Sequence, residues 1–425
     1  MVQTAGQKGK VDTKLSASAL ELTIIVSLII AILLASLITL YTFHKGQSER
    51  FTRRFNILHI MDSALTFAQS NSISSTDTVL FGMVFTSDTV SIKKTAWGLY
   101  DLGVVKVRDD IDSLRKAFLL GASVPDTTVL YVADEDRNLS VSGKTRIIGN
   151  AFLPQSGIKP AFVDSKYYDG MEEIVEGQKR FSERALPDLE YGRVQAVYDF
   201  PNSDRIIDFE EQPSYFSQSF LMSTVHWHSE KPIDLSDYNL KGNIVVSSDT
   251  AIHIGSHSSM TNIICIAPFI SIDDGFKGIL QLFATDAISI GQEVILDYPS
   301  AVVLKPADPN GQSKINIKKR SSIYGTVMLA EEKKNSTPHR IAFGESCTVF
   351  GELLVYGMLQ YEKTLTVYGS TYCYRFITQT PSSLYENYLI DIDFDRTRLP
   401  QDFLHSYVLK REKEQWKNKI ATWLE

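Results

Sequence analysis

Cysteine is scarce and unpatterned. Cys265, Cys347 and Cys373 give an odd count at wide spacing in 425 residues. That is neither a disulfide framework nor a zinc pattern. Each sits among apolar, β-branched neighbours, so buried thiols are expected. Positive charge is not in excess either: 43 Lys and Arg stand against 50 Asp and Glu, a net charge of −7. A phosphate-binding face needs clustered cations, so nucleic acid is not expected as a partner. There is no nucleophile elbow, no phosphate-cradling glycine loop and no His-Glu metal motif. No catalytic residue and no bound cofactor is therefore expected. Long apolar runs are missing as well, with one exception.

The exception is Leu22 to Phe43, an uncharged run with Glu21 at its entrance. It is long enough to cross a bilayer as one helix. It is too long for the h-region of an ordinary signal peptide, and no small-residue cleavage site follows it. The bilayer is thus the first expected partner, and the chain reads as single-pass. Roughly 380 residues remain outside the anchor, room for one elongated domain or two to three compact ones. Basic flanks do not orient the span: Lys8, Lys10 and Lys14 precede it, and Lys45, Arg50, Arg53 and Arg54 follow it.

A carboxylate at the edge of a spanning helix is costly unless it reaches the headgroups or meets a cation. The stretch from Lys14 through Ser16, Ala17 and Glu21 to Val26 resembles the start of a type IV pilin or type II secretion pseudopilin. The resemblance implies a short basic leader, residues 1–21 in the broad sense, cut between Ser16 and Ala17. Glu21 would then be fifth in the mature chain and would pair with the terminal amine of a neighbouring subunit. Ser16 departs from the Gly or Ala usual before the cut, and Ala17 from the Phe often found after it. The segments ADEDRNLSVSGKT, GNAFLPQSGIK and YPSAVVL are similar to membrane-anchored proteins of Bacteroidetes-type bacteria that neighbour pseudopilin systems. That likeness implies no catalytic residue.

After the span at 22–43, residues 44–124 read as a helical stem and a small α+β neck. Phe51, Phe55, Leu58, Met61 and Leu65 recur at three- and four-residue steps, a single apolar face. The loop Ser70–Thr78 ends the stem. β-rich segments follow (Val79–Phe85, Thr89–Ile92, Trp97–Val107), with a turn at Thr86–Asp88, and Asp110–Leu120 is predicted as a helix. From residue 125 to 385, short apolar runs recur every 8–10 residues, punctuated by Gly, Asp, Asn and Ser. That spacing fits a parallel β-helix, a solenoid, with a β-sandwich as the alternative. Steps such as Ile252-His253-Ile254-Gly255 and Ile288-Ser289-Ile290-Gly291 fit its corners. Ile252, Ile254, Ile288, Ile290, Val294 and Leu296 are the expected inward row. An excursion of loop and helix over about 165–235 is expected to cover one face. The tail, 386–425, reads as an acidic strand and a capping helix carrying Trp416, Ile420, Trp423 and Leu424. A basic amphipathic helix lying on a membrane is the other reading of that helix.

Few residues offer chemistry. Asp391, Asp393 and Asp395 stand at steps of two, with Asp402 eleven positions after the first, as in a calcium loop. The sixth place holds Arg396 where the loop needs Gly. Ile392 and Phe394 alternate with the acids as in a half-buried strand, the reading favoured here. His226 and His228 share a strand face, with His253 and His257 as further imidazoles, but no ligand pattern completes a metal site. Asp273-Asp274-Gly275 reads as a turn.

The fold class expected is mainly β: a solenoid head on one transmembrane helix. The function expected is a pilin- or pseudopilin-like structural subunit of a secretion or surface-filament apparatus. It would sit in the inner membrane with its bulk in the periplasm. Its partners would be other pilin-like subunits or secretion-apparatus proteins. Two alternatives remain: a membrane-tethered carbohydrate-active β-helix enzyme, and a cytoplasmic bactofilin-like scaffold.

Overall fold

The computed structural model describes residues 14–70, 78–81, 89–109, 111–163, 165–170, 172–199, 206–308, 311–331, 339–379, 383–412 and 416–425. The fold is mainly β, with one long helix at the N-terminal end.

That helix, α1, spans Lys14–Ala68. Its 55 residues reach about 80 Å at 1.5 Å per residue. No proline interrupts it, and Gly46 is its single glycine. Its apolar half is long enough to cross a membrane and lies exposed. Its last turns are not exposed. Ile57, Ile60, Met61, Ala64, Leu65 and Ala68 are buried. Met61 and Leu65 thus belong to the expected face, but Phe51, Phe55 and Leu58 do not. Phe51 is 74% exposed and Phe55 60%. At 3.6 residues per turn, two neighbouring stripes both read as apolar. The sheet beside the helix selects the stripe carrying the smaller residues.

This sheet holds β1 (Thr78–Phe81), β2 (Thr89–Trp97), β3 (Tyr100–Arg108) and β4 (Ser113–Ser123) in an antiparallel meander. A fifth strand, Lys417–Trp423, returns from the end of the chain to pair with β4, Trp423 opposite Phe118. Two expectations fail here. The segment Asp110–Leu120 is strand from Ser113 onward, and the tail expected as a capping or membrane-lying helix is strand. The physical reason is two-sided burial. Phe118 and Leu120 pack toward α1, whereas Ala117 and Leu119 pack the other way. A strand covered on both faces reads as an unbroken apolar run, which periodicity does not separate from a helix. The expected turn Thr86–Asp88 and most of the loop Ser70–Thr78 lie outside the described residues.

The rest of the chain forms a stack of parallel strands. Ile252 pairs with Ile270, Ile270 with Ile288, Ile288 with Ile315, Ile315 with Ile341, and Ile341 with Leu359. A second row runs Ile254, Ile272, Ile290, Ile317, Phe343, Tyr361. All these side chains are buried, as are Val294 and Leu296. Strands run longer than expected, up to 15 residues, because Cys347–Tyr361 and Leu365–Gln379 continue through their bends. Gly325, Gly351 and Gly369 stack at one bend with φ of 143°, 139° and 154°. A Cβ on Gly369 would meet the Gly351 carbonyl oxygen at 1.8 Å. Gly255 and Gly291 serve differently from expectation. They need no left-handed backbone, but a Cβ there would strike the backbone of the adjacent layer, Ser236 at 2.7 Å and Asp274 at 2.5 Å.

The winding order is not sequential. Thr128–Val132 pairs with Leu365–Gln379 on one side and Asn150–Leu153 on the other. Lys179–Phe181 ends the stack there. The chain then crosses to the opposite end, where Ile206–Asp208 pairs with Val225–Ser229. The excursion expected over 165–235 therefore contains strands at both ends of the stack. Its helical part, α2 (Tyr191–Tyr198), lies on an outer face, with the Tyr198 hydroxyl donating to the Ala284 carbonyl at 2.8 Å.

The antiparallel sheet joins the same outer face. Trp97, Leu99, Leu102, Ala117 and Leu119 cover Ile264, Phe283, Val303, Met328 and Leu354. The order is α1, antiparallel sheet, parallel stack. One side chain fixes the joint: the Leu99 N–H donates to Gln281 Oε1 at 2.9 Å, and Gln281 Nε2 donates to the Trp97 carbonyl at 3.2 Å. Gly98 between them has φ 59°, and a Cβ there would lie 2.0 Å from Gln281 Oε1. We predict that Gln281→Ala lowers stability by about 1–3 kcal/mol, because it leaves two buried backbone groups unpaired. Urea unfolding in detergent measures it; no change would mean that water replaces the amide freely.

Candidate functional site

The N-terminal half of α1 is long and apolar enough to cross a membrane. Leu20, Leu22, Ile24, Ile25 and their successors to Phe43 stand exposed. The Ser and Thr hydroxyls in the run are internally satisfied: Thr23 bonds the Leu20 carbonyl at 2.8 Å, Ser27 that of Thr23 at 2.7 Å and Thr39 that of Ala35 at 2.8 Å. That removes the cost of burying them in hydrocarbon. Glu21 is exposed on this helix and has no ion-pair partner among the described residues. Ser16 and Ala17 lie in its first turns, with side chains outside the described residues; Lys8 and Lys10 also lie outside them.

At its other end α1 is clamped. The buried Lys94 of β2 donates to the Ser70 carbonyl at 3.0 Å, just past the last turn, where a cation suits the helix dipole. Burial pushes the Lys94 ammonium below its ordinary pKa, and Asp101 opposes that shift.

The strongest electrostatic feature was not anticipated. Glu352 lies fully buried on the outer face of the stack. Its Oε1 accepts from His405 Nδ1 at 2.9 Å and from Arg411 at 3.0 Å. Its Oε2 accepts from the Ser406 hydroxyl at 2.7 Å and the Ser406 N–H at 3.2 Å. Burial opposes ionisation, but His405, Arg411 and Ser406 together hold the carboxyl well below the usual carboxylate range. A single acid inside the apolar run Val349–Val355 was the available signal. Its partners sit more than fifty residues on, beyond any local pattern.

The groups singled out from sequence are dispersed. Asp391 accepts from Lys166 and from the Lys144 N–H. Burial, the largest single effect, raises its pKa, but the Lys166 and Lys144 contacts together outweigh it and hold the carboxyl below its ordinary range. Asp393 pairs with Arg146 at 2.6 Å. Asp395 accepts from the Thr397 N–H at 2.9 Å and pairs with Arg398 at 3.2 Å. Asp402 is exposed in a turn. Asp391 stands at a bend just before the strand Ile392–Asp395, and each of the three acids is taken by its own cation, so the four do not converge as calcium ligands. Ile392 and Phe394 between them are buried, as a half-buried strand requires. His226 Nε2 and His228 Nδ1 both meet the Ser247 hydroxyl, at 2.7 and 2.9 Å. Burial, helped by His228, lowers the His226 pKa to about 4. His253 instead meets Ser271 at 3.0 Å, and His257 meets Ser256 at 3.3 Å. Among the described residues no three His, Cys, Asp or Glu side chains are grouped to hold a metal ion. Asp274, in a turn with Gly275, accepts from the Gln292 N–H of the adjacent layer at 2.7 Å. The three cysteines are free and buried, and burial pushes the Cys265 thiol up to about 12 and the Cys347 thiol to about 11.

These features define a mainly β protein carrying one long, exposed apolar helix. No family model, curated protein or solved structure matches the chain.

Proposed function

We propose that the protein is a pilin- or pseudopilin-like structural subunit anchored in the inner membrane. Its head lies in the periplasm and is a parallel β-helix. One observation carries the reading. A single unbroken helix has an apolar N-terminal half suited to lipid, and its last turns, from Ile57 to Ala68, are buried against a five-stranded antiparallel sheet. A membrane helix that continues rigidly into a head transmits position between bilayer and head. That is what a subunit packed by its helix into a larger assembly needs. The resemblance around Ser16, Ala17 and Glu21 supports the same reading. Parallel registers from layer to layer, 18 residues apart as at Ile270–Ile288 and Cys347–Leu365 and 26 to 27 apart as at Ile288–Ile315 and Ile315–Ile341, support a β-helix over a sandwich of antiparallel hairpins.

The alternatives gain less support. A carbohydrate-active enzyme of this architecture needs converging carboxylates, whereas Asp391, Asp393 and Asp395 are each engaged by a cation. A bactofilin-like scaffold needs open ends. Here Phe209 packs over Trp227 and Tyr238 at one end, and Lys179 and Pro160 sit on the last strands at the other.

The test is Glu21→Gln and Glu21→Ala. Both are expected to leave the head folded and membrane-bound but to remove the protein from cross-linked envelope complexes, because the carboxylate is useful only where a cation meets it. Complexes formed at the wild-type level would make Glu21 merely interfacial and end this reading.

A further inference from the structure

His253, Ser271, Ser289, Asn316, Ala342 and Gln360 form one outward row, a residue per layer. Ala342 is its smallest member and lies between two amides. The gap it leaves belongs to a cavity of about 240 Å³ lined by Gln292, Asn316, Lys318, Lys319, Gln360 and Glu362. Buried Ile317 and Phe343 form part of its floor. Gly344 keeps one wall tight: a Cβ there would meet the Lys319 backbone nitrogen at 2.8 Å.

The polar groups here are not consumed by the fold. Asn316 and Gln360 are half-buried, and among the described residues neither side-chain amide makes a hydrogen bond. Lys319 is exposed with no carboxylate in ion-pair range among the described residues. Lys318 is 4.0 Å from Asp274, with both side chains about half exposed. Two layers separate the amides by about 9.5 Å at the usual strand spacing. An amide offers donors and acceptors side by side, which suits vicinal hydroxyls. Phe343 is the aromatic lining residue, and at 2% exposed it offers no open face for a nucleobase to stack on.

We propose that this groove binds an acidic oligosaccharide, a uronate-containing chain. Its carboxylate meets Lys318 and Lys319, and its ring hydroxyls meet Asn316 and Gln360. Glu362 faces hydroxyls at the end away from the uronate. This site is independent of how the membrane helix assembles.

The probe is a galacturonate tetramer, titrated calorimetrically into the full chain in detergent, with a maltotetraose comparison. Saturable binding of the acidic chain is expected, with the neutral chain at least tenfold weaker. Ala342→Leu fills the gap at an outward position. It is expected to keep the melting temperature and weaken binding at least tenfold. Lys319→Ala is expected to weaken the acidic chain about tenfold, and Lys241→Ala, on another face, to change nothing. No saturable binding, equal affinity for both chains, undiminished binding by Ala342→Leu, or an equal loss in Lys241→Ala would each overturn the proposal.

Discussion

Ile290→Asp is expected to unfold the head. The side chain is fully buried and sits between Ile272 in one layer and Ile317 in the next. A carboxylate there has no cation to meet and no route to water, so it must stay protonated or break the layer open. Ile290→Ala isolates packing from charge. The flanking isoleucines are held by their own backbone ladders and collapse little into the space, so the cost should be about 2–5 kcal/mol. Gln292→Ala, in the adjoining turn, should stay within about 0.5 kcal/mol. Thermal melts of the full chain in detergent rank the three. If Ile290→Ala matched Gln292→Ala, this row would not face a core.

Glu352→Ala should cost about 3–5 kcal/mol, the usual loss when one partner of a buried ionic group is removed. The loss arises less from the pair itself than from leaving Arg411 and His405 facing an apolar cavity. Arg411 is 12% exposed and His405 3%, so neither reaches water easily. The same carboxylate gives a pH signature. Its folded pKa is depressed, so its contribution is complete above the ordinary carboxylate pKa. It is lost as pH falls from there toward the lower folded value. Wild type should therefore lose stability on acidification below the ordinary carboxylate range, and Glu352→Ala should show a shallower acid slope. Parallel slopes in denaturant titrations across that range would assign the acid sensitivity to other carboxylates.

Much of this organisation was legible in the sequence, and the failures have physical causes. Ile252, Ile254, Ile288, Ile290, Val294 and Leu296 were readable as an inward row because one face of each strand points into the core of the stack and the other meets solvent or a cover. The span Leu22–Phe43 was readable from length and lack of charge alone. Ser113–Ser123 was not readable as strand, because α1 and the parallel stack bury its two faces at once. The tail was misread for a related reason: Trp416, Ile420 and Trp423 are spaced as in a helix, and only pairing with β4 decides otherwise. The Glu352 network joins residues 352, 405, 406 and 411, which no local pattern relates. The winding order was equally hidden, since Thr128–Val132 finds its partner at Thr371–Cys373 through tertiary stacking.

The most direct test of the anchored, periplasmic subunit is protease added to intact spheroplasts. We predict that the head is digested while a cytoplasmic marker survives and that a fragment containing α1 stays with the membrane. Full protection of the head until the spheroplasts are lysed would place it in the cytoplasm and contradict the account.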